Sequence, residues 1–151
     1  MAFKQLKDVI EWTVEYHETL KRQYETLASN QSDERMEMTL GFLASREQHL
    51  AERMKAFLQG ADEGLMNSWL VDSQEFDVRK IPAHIPACIG CEDIHDVHKN
   101  ILQAHKTLTD MYELRSFLVQ NTREADLFRE LAANQQTEAR LQSREIGRLD
   151  M

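Results

Sequence analysis

Glycine and proline are scarce in this chain of 151 residues, which contains five glycines and two prolines. A chain so poor in turn-forming residues is typical of a helical protein rather than a β-sandwich or a barrel. No apolar run approaches the roughly 18 residues that a membrane-spanning helix needs. Basic residues are outnumbered by acidic ones, 18 to 26, for a net charge of −8. We therefore expect no nucleic acid and no membrane among the main partners, because both demand a basic face.

Cysteine is nearly absent as well, with two residues in the whole chain. Two cysteines do not make a disulfide framework, and the charged opening residues do not follow the pattern of a secretory signal. These features predict a cytoplasmic protein. Hydrophobic residues make up 42% of the chain, which is enough to build a core, and the length predicts a single domain over residues 1–151.

Apolar residues recur at spacings of three and four along four long stretches, which predicts four amphipathic helices near 3–29, 33–59, 92–121 and 123–148. Ser32 or Asp33 is the expected N-cap of the second helix. The short loops predict that helices one and two, and likewise three and four, form antiparallel hairpins. Residues 60–91 hold both prolines and three of the five glycines, and predict a long crossover between the hairpins.

An internal repeat supports this division of the chain. When residues 3–58 are compared with residues 91–146, at an offset of 88, twelve of the 56 pairs are identical. Chance would give roughly three or four identities for such a composition. The matched pairs include His17 with His105 and Tyr24 with Tyr112, which are not generic helix residues. The repeat predicts a duplicated helical hairpin.

Several positions of the core-facing stripes carry polar residues where leucine would be usual. Counted from the hairpin loops at about 1.5 Å per residue, these positions differ in height by only a few ångströms. They are therefore expected to share one layer at the middle of the bundle. Buried polar groups are costly unless they satisfy one another or bind something, so the layer is either a hydrogen-bonded network or a ligand site. The residues are His17, Glu47, His105, Gln135 and Glu138.

The chain resembles the ferritin-like superfamily, and rubrerythrin-like bundles in particular, over essentially its whole length. That family holds two irons with a Glu about seven residues before a Tyr on helices one and three, and with a Glu-x-x-His on helices two and four. In this chain His17 and His105 precede the tyrosines, and Glu47 is retained. Leu50 stands at the first histidine position, and Gln135 and Glu138 replace the second Glu and His. The resemblance implies a four-helix bundle, and the altered set is expected to hold at most one Fe, Mn or Zn ion.

A second motif lies at the end of the predicted crossover, where Cys88 and Cys91 are followed by His95 and His98. The C-x2-C-x3-H spacing resembles the thiol motif of the carboxymuconolactone-decarboxylase-like peroxidase partners. A helix N-terminus lowers the pKa of a thiol, and a nearby histidine can relay its proton. Alternatively, the four side chains could bind zinc, or the cysteines could be inert.

Three hypotheses for function follow. The first is a divergent ferritin-like protein that binds one divalent metal ion or a small ligand at the mid-bundle layer, without di-iron oxidase chemistry. The second is a thiol oxidoreductase that uses Cys88, Cys91 and His95. The third is a non-catalytic scaffold or dimerisation module, possible as a homodimer. Gly41, inside the second predicted helix, is a candidate position of close helix approach, at the crossover or at a dimer face.

Overall fold

The computed structural model describes residues 5–60, 63–67, 96–118 and 122–148, and all of its regular structure is helical. The predicted all-α class is therefore confirmed. Five helices are present in the described residues: α1 Leu6–Ser29, α2 Glu34–Gly60, α3 Glu63–Met66, α4 Asp96–Leu118 and α5 Thr122–Gly147.

The four long helices fall close to the predicted spans, and no end differs by more than four residues. α3 is an addition, a single turn of four residues within the predicted crossover. Such a turn is too short for its apolar residues to show a helical period. Most of the predicted crossover, and residues 92–95 and 119–121 of the third predicted helix, lie outside the described residues.

Polar side chains fix the starts of the first two helices. The backbone N–H of Gln5 donates to the Asp8 carboxylate at 3.0 Å, as one half of a capping box. Asp33 accepts from the backbone N–H groups of Arg35 at 2.9 Å and Met36 at 3.4 Å. The expectation that Ser32 or Asp33 caps the second helix is thus confirmed for Asp33.

The long helices pack as two pairs, α1 along α2 and α4 along α5. In the second pair, His98 contacts Ser143 and His105 contacts Gln135, so the two helices run in opposite directions. The two pairs share one apolar core, whose fully buried members come from both. They include Leu6, Ile10, Leu20, Leu43, Ile101, Leu108 and Phe128.

Tyr16 joins the two pairs through its hydroxyl, which donates to the backbone carbonyl of Ala104 at 2.9 Å. Both residues are buried. We expect Tyr16→Phe to lower the free energy of unfolding by about 0.5–1.5 kcal/mol, the net value of one such hydrogen bond. Urea denaturation measures it. Thr26→Ala, which removes an exposed hydroxyl bonded to the carbonyl of Arg22, is the control and should change stability by less than about 0.5 kcal/mol. Equal effects of the two substitutions would contradict this role of Tyr16.

Gly41 does not mark a close approach within the described part of the chain. A Cβ atom at this position would have no heavy atom within 4 Å. Gly41 lies on the exposed side of α2, and most of the predicted crossover lies outside the described residues, so a close approach at the crossover or at a dimer face stays a prediction. Among the described residues, no helix is long and apolar enough to cross a membrane.

Candidate functional site: a buried polar layer

The five polar residues predicted to share a layer are brought together by four helices. His17 lies on α1, Glu47 on α2, His105 on α4, and Gln135 and Glu138 on α5. None of them is more than 4% exposed. A sixth buried residue, Gln142, lies one turn after Glu138 and belongs to the same network. We call these six residues the polar layer.

Glu47 is the centre of the polar layer. Its Oε2 lies 2.7 Å from Nδ1 of His17, and its Oε1 lies 2.9 Å from Nε2 of His105. The amide nitrogen of Gln142 donates to the same Oε1 at 3.0 Å. A carboxylate can only accept, so both histidine nitrogens carry the proton in these bonds. The carboxylate of Glu47 is thus held by three donors from three different helices.

These contacts explain the ionisation of Glu47. Burial on its own would raise the pKa of this carboxyl group, since a charge is costly in a dry interior. The interaction with His105 and the hydrogen bonds from His105 and His17 outweigh burial and hold the pKa well below its ordinary value. Glu47 is therefore a buried anion at neutral pH.

The two histidines donate to Glu47 through different ring nitrogens. His105 donates through Nε2, and its Nδ1 faces the amide nitrogen of Gln135, so Nδ1 accepts. His17 donates through Nδ1 instead. Its second nitrogen, Nε2, is buried and has no hydrogen-bond partner in the part of the chain that the structure describes. His17 Nε2 is thus the open position of the layer.

The asymmetry arises from a single difference between two similar pairs. In each hairpin the histidine is joined through Nδ1 to the residue 30 positions later, His17 to Glu47 and His105 to Gln135. The two pairs are related by the offset of 88 found in the sequence. A glutamate at one position and a glutamine at the other reverse the direction of donation, and with it the tautomer.

Glu138 is held by Arg46 rather than left free. The guanidinium donates through Nε to Oε1 at 2.9 Å and through Nη2 to Oε2 at 2.7 Å. Gln142 donates to Oε1 at 3.2 Å. Burial raises the pKa of Glu138, but the hydrogen bonds from Arg46 and Gln142 and the charge of Arg46 lower it overall. This bidentate pair removes Glu138 as a ready metal ligand.

Tyr24, on α1, is hydrogen-bonded to the polar layer through Gln142. Its hydroxyl donates to Oε1 of Gln142 at 3.3 Å, which leaves the Gln142 amide nitrogen free to donate to Glu47 and Glu138. Burial raises the pKa of Tyr24 far above its ordinary value, and the charges of Glu47 and Glu138 add to the effect. The tyrosine therefore remains a neutral donor.

Sequence reasoning missed two members of this arrangement, Gln142 and Arg46. Gln142 could have been found, because it continues the stripe of Gln135 and Glu138 by one further helical turn. Arg46 gave no such signal. It lies beside Glu47 on α2, with a side chain that is partly exposed, and reaches Glu138 through the length of its side chain.

The thiol motif is not placed by the structure, because Cys88, Cys91 and His95 lie outside the described residues. The remaining member, His98, is on α4, where its Nε2 lies 2.7 Å from the hydroxyl of Ser143. The redox and zinc hypotheses for this motif therefore stay predictions.

The donor set of the polar layer does not fit a pair of irons. Two irons need bridging carboxylates, whereas Glu47 is shared by two histidines and Glu138 is neutralised by Arg46. Within the described ranges, no group of three or more His, Cys, Asp or Glu side chains is arranged to hold a metal ion. His17 Nε2 is therefore the atom available to hold a metal ion in the layer. The other candidate ligands would have to give up hydrogen bonds before they could bind the ion.

Comparison with known proteins adds no family to this description. A scan against protein-family models, a search of curated proteins and a search of solved structures each found no match to this chain.

Proposed function

We propose that this protein is a divergent ferritin-like bundle that binds one divalent metal ion at the polar layer, without di-iron oxidase chemistry. The observation that carries the proposal is the buried Nε2 of His17, which has no hydrogen-bond partner among the described residues. A lone pair stranded in a dry interior costs about 1–3 kcal/mol, and a bound cation would recover that cost. The fold part of the proposal is supported by the paired packing of the helices and by the offset of 88 shared by the two histidine pairs.

The charges in the layer favour a cation. Arg46 and Glu138 form an ion pair, so their charges cancel. When His17 and His105 are neutral imidazoles, the form in which a ring nitrogen can bind a metal ion, the charge of Glu47 has no opposite charge in the layer. A buried anion of this kind attracts a positive ion or a proton.

The orientation of His17 supports a metal ion as that cation. Histidines that bind metals commonly donate their other ring nitrogen to a carboxylate, which fixes the tautomer and raises the basicity of the coordinating nitrogen. His17 has this arrangement, with Nδ1 held by Glu47 and Nε2 open. When bound, the ion would supply a Lewis-acidic centre. His17 would hold it, and Glu47 would orient His17.

Thermal unfolding with and without metal tests this proposal. For the wild-type chain we expect Zn²⁺, Mn²⁺ or Fe²⁺ to raise the free energy of unfolding by about 2.7 kcal/mol at a hundredfold excess over Kd, relative to chelator. His17→Ala should lose that increment, because it removes the buried ring nitrogen that has no hydrogen-bond partner among the described residues. His49→Ala is the matched control, since His49 lies on the exposed face of α2, and should keep it.

A wild-type melting temperature that none of the three metals changes would contradict the proposal. An increment that survives in His17→Ala but is lost in His49→Ala would place the metal elsewhere, and would contradict the role of the polar layer.

The other two hypotheses stay predictions. The thiol oxidoreductase rests on Cys88, Cys91 and His95, whose placement is not described. The scaffold or homodimer hypothesis has no described contact that tests it.

A further inference from the structure

A cleft of about 110 Å³ lies between α2 and α5, next to the polar layer. Its wall is mainly apolar and ends on one buried amide side chain. The residues that form this wall are Leu50, Met54, Phe57, Leu127, Leu131 and Gln135.

Gln135 gives the cleft a polar end. Its side chain is 3% exposed, and its amide nitrogen contacts Nδ1 of His105. That contact is the only hydrogen bond of Gln135 among the described residues, so the carbonyl oxygen is left without a donor. Because Gln135 lines the cleft, the O–H group of a bound ligand can donate to this oxygen.

The dimensions of the cleft limit the ligand to the size of one ring. An engineered protein cavity of about 150 Å³ binds benzene, whereas sites for drug-sized ligands measure about 300–1,000 Å³. A volume of about 110 Å³, partly open to solvent, therefore accommodates a single small ring or a short chain.

The charges at the cleft favour a neutral ligand. Arg53 and Glu130 are both exposed and line the cleft, and their charges are opposite. They leave no net field to select an anion or a cation. The remaining wall offers apolar contact alone, apart from the amides of Gln135 and the exposed Asn134.

We propose that this cleft binds a neutral, ring-sized molecule with one hydroxyl group, of the phenol class. The ring lies against Met54, Phe57 and Leu131, and the hydroxyl donates to the carbonyl oxygen of Gln135. The site is separate from His17 and requires no metal ion, so it goes beyond the function proposed above.

Titration with phenol and toluene, in the presence of chelator, tests the proposal. The two probes are similar in size, but only phenol can donate a hydrogen bond. We expect saturable binding of both to the wild-type chain, followed by calorimetry or by NMR shifts of cleft residues, with phenol about tenfold tighter. That factor corresponds to ~1.4 kcal/mol, within the range of one hydrogen bond.

Three variants locate the binding site. Gln135→Met should bind phenol and toluene equally, because the acceptor is gone while the volume is kept. Gln136→Met, one residue along on the exposed face of α5, is the matched control and should keep the tenfold preference. Met54→Trp fills the cleft from its half-buried rim and should abolish binding of both probes, without a change to the polar layer.

Absence of saturable binding to the wild type, or a phenol preference that persists in Gln135→Met, would overturn the proposal. If Gln135→Met does not fold, Met54→Trp still decides, because retained binding in that variant would place the probes outside the cleft. Since every titration contains chelator, these outcomes do not depend on whether the polar layer binds metal.

Discussion

Replacing Glu47 with alanine is expected to lower the free energy of unfolding by about 3–5 kcal/mol, the usual cost of removing one partner from a buried charged network. The substitution leaves three buried donors without an acceptor: Nδ1 of His17, Nε2 of His105 and the amide nitrogen of Gln142. It also opens a cavity beside the core residues of four helices. Urea or guanidinium denaturation measures the loss.

Glu47→Gln should cost less than Glu47→Ala but more than a surface change. The amide keeps one acceptor oxygen, and its NH₂ group can donate to His17 if His17 moves its proton from Nδ1 to Nε2. Such a move is not open to His105, whose Nδ1 is engaged by Gln135. Glu52→Ala, at an exposed glutamate of α2, is the control and should stay within about 0.5 kcal/mol of wild type. A Glu47→Ala protein as stable as Glu52→Ala would contradict the central role of Glu47.

Stability is expected to fall steeply as the pH drops below about 4.5, the ordinary pKa of a glutamate. The pKa values of Glu47 and Glu138 are both depressed in the folded protein. A carboxyl group with a depressed pKa stabilises the fold at pH values above its unfolded pKa, and this contribution is lost as the pH falls towards its folded pKa. Each unit of depression corresponds to about 1.4 kcal/mol.

Glu124 acts in the opposite direction, because burial raises its pKa, so protonation in acid favours the fold there. The comparison that isolates Glu47 is therefore a pair of stability–pH profiles, for wild type and for Glu47→Gln. The variant should lose less free energy than wild type between pH 5 and pH 3, as estimated from urea midpoints over about two pH units. Two profiles that fall in parallel would show that Glu47 is not held as an anion.

The positions of the polar residues along the helices could be predicted from the sequence, whereas their hydrogen-bond partners could not. A helical period with short loops fixes which residues face the core and how far each lies from its loop, and this was enough to bring His17, Glu47 and His105 together. Hydrogen-bond partners depend on side-chain conformations that sequence spacing does not specify. The ion pair between Arg46 and Glu138 changes the chemistry of the layer, and it could not be predicted for this reason.

The distinction between the two histidines also required the structure. In the sequence His17 and His105 are equivalent members of a repeat, and both were expected to act as ligands with Glu47, Gln135 and Glu138. In the structure Glu47 accepts from both histidines, and Gln135 contacts the second nitrogen of His105. The open nitrogen at His17 follows from those contacts, which the offset of 88 alone does not reveal.

NMR of the histidine side chains tests whether His17 and His105 hold their protons on different ring nitrogens. Long-range ¹H–¹⁵N correlation spectra of the metal-free protein, labelled with ¹⁵N-histidine, distinguish protonated from unprotonated ring nitrogens. The structure predicts opposite tautomers at neutral pH: His17 protonated at Nδ1 with a bare Nε2, and His105 protonated at Nε2 with a bare Nδ1. The same tautomer at both residues, or a proton on Nε2 of His17, would contradict the proposed metal site, because Nε2 of His17 would then have no lone pair free to bind the ion.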